Sequence, residues 1–125
     1  MKSKYIETYY RGFNADYGDR SKNNPHLMWF SDTKEYAAQY AEEFSHGKVG
    51  RYTIDTKHFV SENELQKVME ENDLLDGSEF YPYDGLKKTA TRELLKRNIH
   101  GFWFYDNDFT LILCLWDFSS IIKKY

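Results

Sequence analysis

Cysteine is nearly absent. The 125-residue chain has one, Cys114, so no disulfide can close within it. Cys114 stands in the run Leu111-Ile112-Leu113-Cys114-Leu115-Trp116, where a small buried hydrophobe is the expected role. Proline is scarce too: Pro25 and Pro82 are the two, both in stretches that read as loops. No apolar stretch approaches the roughly 18 residues that a membrane span requires, and residues 1–10 lack the apolar core of a secretory leader. The expectation is a soluble, cytoplasmic protein with no membrane partner. Positive charge is not in excess. With 17 Lys and Arg against 20 Asp and Glu the net charge is −3, so a nucleic-acid partner gains no global support. The four histidines (His26, His46, His58, His100) are isolated, with no neighbouring cysteine and no HExxH pair, so no metal is expected. Neither GxGxxG nor GxxxxGK[ST] occurs, which removes the common phosphate-binding loops.

What the chain does have is aromatic side chains, 18% of residues, with eleven Tyr and nine Phe. That share exceeds what a small core needs and suits either a wide sheet surface or a pocket lined with rings. Charge is also unevenly placed. Residues 61–84 hold eight acids against Lys67, and residues 85–100 hold five bases against Glu93. Two solvated helix faces explain this pattern, as does a dipole that docks a partner.

One domain spanning residues 1–125 is expected from the length. Residues 5–13 form a β-prone aromatic strand, and residues 14–24, rich in Asn, Asp, Gly and Ser, form a long loop. Residues 27–30 are a short apolar strand. Asp32-Thr33-Lys34-Glu35 reads as a capping box opening a helix whose Tyr36, Ala37, Tyr40, Ala41 and Phe44 share one face, with Gly47 as its stop. Residues 49–54 follow as a strand. Ser61-Glu62-Asn63-Glu64 is a second capping box, ahead of a helix with Leu65, Val68 and Met69 inward. After a loop at 76–84, residues 86–98 form a helix with Leu86, Ala90, Leu94 and Leu95 inward, stopped by His100-Gly101. Strands at 102–105 and 109–116 flank Asp106-Asn107-Asp108, residue types that tolerate a hairpin turn. Residues 119–125 close the chain. Strands and helices do not alternate regularly, so the fold class is α+β with split mixed or antiparallel sheets and about three helices.

Three segments put an unusual group beside a strand end. In Tyr9-Tyr10-Arg11-Gly12-Phe13, an Arg within an aromatic strand precedes a Gly that lets backbone approach a ligand, a reasonable anion or amide receptor. An edge Arg reaching to water accounts for the same residues. In Leu27-Met28-Trp29-Phe30-Ser31-Asp32, Trp29 is followed eleven positions on by Tyr40, and two rings at that interval around a capped helix can bracket a planar ligand. Ordinary core packing does as well. In Trp103-Phe104-Tyr105-Asp106-Asn107-Asp108, a carboxylate directly after an aromatic strand can orient a ribose hydroxyl or a nucleophile, or simply solvate a turn.

Together and in this order the segments resemble the ADP-ribosyltransferase superfamily. Tyr10-Arg11-Gly12 resembles the family's first motif in its Arg form. Met28-Trp29-Phe30-Ser31-Asp32 with Ala37 and Tyr40 is similar to the strand–helix pattern of the poly-ADP-ribose polymerases and diphtheria-toxin-like enzymes. The ending RNIHGFWFYDNDFTLILCLWDFSSI resembles that of small phage ADP-ribosyltransferases, among them anti-CRISPR proteins. The resemblance implies NAD as ADP-ribose donor, no metal, and a mono-ADP-ribosyltransferase acting as a phage or mobile-element effector on a host protein. It implies that the backbone of Gly12 holds the nicotinamide carboxamide and Tyr40 stacks on the ring. Arg11 contacts a ribose or the pyrophosphate, and Trp29 and Ser31 line the site. Asp106, or Asp108 in an alternative alignment, binds the nicotinamide-side ribose. The acid is Asp where Glu is commoner, Ala37 replaces a Ser, and Trp29 is bulkier than usual. The competing expectation is a non-catalytic protein of this fold that inhibits a partner by docking, and a nucleic-acid-modifying member draws weak support from the basic helix at 87–97.

Overall fold

In a computed structural model, residues 5–17, 25–75, 86–107 and 109–125 are described. Alternating aromatic and apolar stretches form β1 (Ile6–Asn14), β2 (Met28–Ser31), β3 (Gly47–Asp55), β4 (Phe59–Ser61), β5 (Gly101–Asp106), β6 (Thr110–Leu115) and β7 (Ile121–Lys124). Among the described residues the helices are α1 (Lys34–Ala41), α2 (Glu62–Glu71) and α3 (Lys88–Lys96). The α+β class is as expected, and so are three helices among the described residues. The expected loop at 76–84 and most of that at 14–24 lie outside the described residues, as do Pro82 and Asp108.

The split sheets expected from sequence are joined into one. Among the described residues its seven strands run in the order β4-β5-β6-β2-β1-β3-β7, antiparallel except for the parallel β4–β5 pair. The join is narrow. All four residues of β2 pair with β6 and all nine of β1 pair with β3, yet β1 and β2 meet through one pair, Tyr10 opposite Ser31. Two well-laddered halves therefore meet at a seam.

Side-chain alternation across a strand sends neighbours to opposite faces. On one face Trp29, Phe102, Cys114 and Trp116 pack with Leu65 and Met69 of α2 and with Ala90 and Leu94 of α3. On the other, Tyr9, Met28, Phe30, Tyr52, Ile54, Leu113 and Leu115 form a second cluster, closed by Phe59, Phe118 and Ile121. Tail residues 121–124 supply β7 and cover the outer edge of β3.

Helix boundaries depart from the sequence pattern for local reasons. The cap of α1 is Thr33, whose hydroxyl accepts from Tyr36 N at 3.3 Å. Asp32, the expected cap, is instead drawn to β6, where its carboxylate accepts from Leu111 N at 3.1 Å and its own N–H donates to Leu111 O at 3.0 Å. Ser61 caps α2 as expected, accepting from Glu64 N at 3.2 Å. α3 ends at Lys96 with Arg97 as its cap, and Asn98, with a positive φ of 61°, turns the chain so that Ile99 N reaches Leu94 O at 3.0 Å. Gly101, expected to help stop this helix, opens β5, and Leu95 is 38% exposed rather than inward. Likewise Gly47, expected to end α1, is the first residue of β3.

Candidate functional site

α1 lies against β1 because Gly12 has no side chain. A Cβ there would collide with the carbonyl oxygen of Ala37 and lie 3.0 Å from the backbone nitrogen of Ala41. The helix thus rests backbone to backbone on one half of the sheet while its leading end is tethered to β2 in the other. Between them, where β1 and β2 stop pairing, opens a cavity of about 260 Å³. It is lined by Arg11, Gly12, Trp29, Ser31, Tyr36 and Tyr40, with further wall from Tyr10, Phe30, Ala37, Phe104 and Ile112.

Five positions singled out in the sequence, Arg11, Gly12, Trp29, Ser31 and Tyr40, therefore share one cavity. Arg11 is 4% exposed, and its Nη1 donates to the Trp29 carbonyl at 3.2 Å. Its guanidinium thus spans the seam that the strands leave open. The hydroxyl of Ser31 is buried and donates to Thr33 O, which holds the start of α1 to β2. Trp29 stands edge-on to Phe102, with centroids 5.9 Å apart, so one side of the ring belongs to the core and another to the cavity wall. Tyr40 is half exposed at the rim, edge-on to Phe44 at 5.5 Å.

Asp106 does not line the cavity. It ends β5 opposite Thr110 and is reached through Tyr36, whose hydroxyl donates to Asp106 Oδ2 at 2.8 Å. The expected hairpin position is thus a paired strand end, and the turn begins at Asn107, with φ 54°. No local spacing marks Tyr36 as a lining residue. Its partner lies 70 positions away, and no local spacing reports that proximity. Tyr10, Phe104 and Ile112 were hidden for the same reason.

Two shifted groups bound the chemistry. Burial pushes the Cys114 thiol well above its usual range, against an opposing pull from Arg11, so it is a packed hydrophobe rather than a nucleophile. Burial, then the charges of Glu7, Asp32 and Tyr105, push the Tyr9 phenol up to about 12. Among the described residues no cluster of three His, Cys, Asp or Glu is placed to hold a metal, and no helix is long and apolar enough to cross a membrane. No family model, curated protein or solved structure matches the chain.

Proposed function

We propose that the protein is an NAD-dependent mono-ADP-ribosyltransferase, an effector of the phage or mobile-element kind that modifies a host protein. The observation that carries this reading is the convergence of residues 11, 12, 29, 31 and 40, drawn from three separate segments, on one aromatic cavity at a seam in the sheet. At about 260 Å³ the cavity falls just short of the roughly 300–1,000 Å³ of pockets for drug-sized ligands. It suits a single ring, with the rest of a dinucleotide crossing the rim.

Nicotinamide leaves its ribose through a transition state with oxocarbenium character, and an acceptor nucleophile bonds to the same carbon as it loses its proton. This demands a clamped leaving ring, an oriented sugar and nearby negative charge. The rings of Tyr36 and Tyr40 and the backbone at Gly12 supply the clamp. Tyr36 holds Asp106 by its hydroxyl, so the carboxylate stands one hydrogen bond behind the cavity wall.

Nicotinamide release from NAD tests the reading. Asp106→Asn is expected to lower the rate about 10²–10³-fold, the usual loss for one transition-state contact. Tyr36→Phe, which keeps the ring and loses the hydroxyl, is expected to fall between that variant and wild type. Calorimetry showing no NAD binding at millimolar concentration by the folded protein overturns it. A second reading, a non-catalytic protein of the same kind that docks on a partner, is favoured by one feature: among the described residues lining the cavity there is no carboxylate. NAD binding without nicotinamide release would select it.

A further inference from the structure

The cavity wall has neighbours of opposite charge on its two sides. Past Tyr36 stands Asp106. On the other side Tyr10, part of the wall, lies directly across the β1–β3 ladder from Arg51, and side chains opposed in this way are close neighbours on one face. The Arg51 guanidinium carbon sits 4.1 Å from the centroid of the Tyr125 ring, and Lys123 Nζ sits 4.6 Å from the same centroid. That ring is fixed from two directions: Tyr125 N donates to Arg51 O at 3.0 Å, and the Tyr125 hydroxyl is 2.9 Å from Thr53 Oγ1. Arg51 and Lys123 are both solvent-exposed. Asp55, further along β3, has one carboxylate oxygen taken up by the Lys57 backbone N–H at 3.0 Å.

Two cations gathered on one ring repel each other, and the negative face of the ring offsets only part of that cost. An anion with two charges and several acceptor oxygens offsets the remainder, and a planar guanidinium presents paired donors to phosphate. A ring seated in the cavity leaves its attached chain to cross the rim. Over Tyr36 that chain meets a carboxylate; over Tyr10 it meets two cations.

We propose that Arg51 and Lys123, held on the Tyr125 ring, form the subsite for the diphosphate of a dinucleotide whose nicotinamide occupies the cavity. This assignment rests on the NAD reading above and gives the ligand a direction, with the nicotinamide-side ribose leaving the cavity over Tyr10 and the diphosphate at β3–β7. It also moves the main phosphate contact away from Arg11, whose Nη1 is engaged by the Trp29 carbonyl.

Calorimetry with NAD, ADP and free nicotinamide on wild type and on the double variant Arg51→Gln/Lys123→Gln tests the assignment. The expected result is a loss of at least about tenfold in affinity for both NAD and ADP, with nicotinamide binding unchanged. Tyr125→Leu is expected to reproduce the loss and Tyr125→Phe to retain most of the affinity, since the ring and not its hydroxyl carries the cations. Undiminished NAD and ADP affinity in the double variant overturns the subsite while leaving the NAD reading intact. Absence of NAD and ADP binding in wild type overturns both. Wild-type binding of a ten-residue oligothymidylate more tightly than ADP, lost in the double variant, overturns the subsite in favour of a nucleic-acid surface.

Discussion

The β5–β6–β2 ladder and the β1–β2 seam use similar residues to opposite effect. In the ladder every residue of β2 has a partner, and Phe102 packs between Trp29, Phe104 and Trp116 at centroid distances of 5.9, 6.0 and 6.3 Å. At the seam one residue pair connects the strands, a guanidinium stands where ladder hydrogen bonds would run, and rings line a space instead of filling it. The cavity opens where pairing stops, and the closely packed halves on either side hold the opening in shape.

The strongest way to break this contrast is to hollow out the solid side. Phe102→Ala removes a fully buried ring and is expected to cost about 3–5 kcal/mol in urea unfolding. A loss below about 1 kcal/mol would show the ladder to be no better packed than the seam. Gly12→Val acts on the seam itself. The added side chain meets the backbone of α1, so the helix must shift, and the expected cost is about 1–3 kcal/mol together with loss of NAD binding. Unchanged binding would mean that the position of α1 does not define the cavity. The smallest expected effect concerns Tyr9, whose phenol ionises near 10 when unfolded and at about 12 when folded. Between those values the native state holds the extra proton, so this contribution is fully present below pH 10 and is lost as pH rises toward 12. The loss reaches about 1.4 kcal/mol by pH 11. Tyr9→Phe is expected to flatten that part of the stability–pH curve, and an equal slope in both proteins would contradict it.

Legibility in the sequence followed interaction range. The strands at 5–13, 27–30, 49–54 and 102–105 and the cap at Ser61 depend on neighbouring residues, and the structure places them within a residue or two of expectation. β4 was missed because three residues before a capping box display no period. Asp32, which local spacing marks as the helix cap, serves β6 instead, because its partner Leu111 lies 79 positions away. Arg11, Gly12, Trp29, Ser31 and Tyr40 stand out through motif resemblance, but that they line one cavity depends on strand order. Spacing could not show that Gly12 seats a helix or that Asp106 stands behind Tyr36.

The seam also constrains how the chain comes together during synthesis. β1, β3 and β7 lie on one side of it and β2, β4, β5 and β6 on the other. The connections β1–β2, β2–β3, β3–β4 and β6–β7 therefore each pass from one side to the other, and neither side is encoded by a continuous stretch. A nascent chain emerging from its N-terminus has β1 and β3 available early, but β2 waits for β6 and the edge of β3 waits for residues 121–124. Neither side can be completed alone, so the last strands must find both sides late, through contacts distant in sequence. Topologies of this kind fold more slowly than those built from local contacts. The same interleaving ties the two sides together covalently at four places, so the opening between β1 and β2 cannot separate the molecule into two pieces.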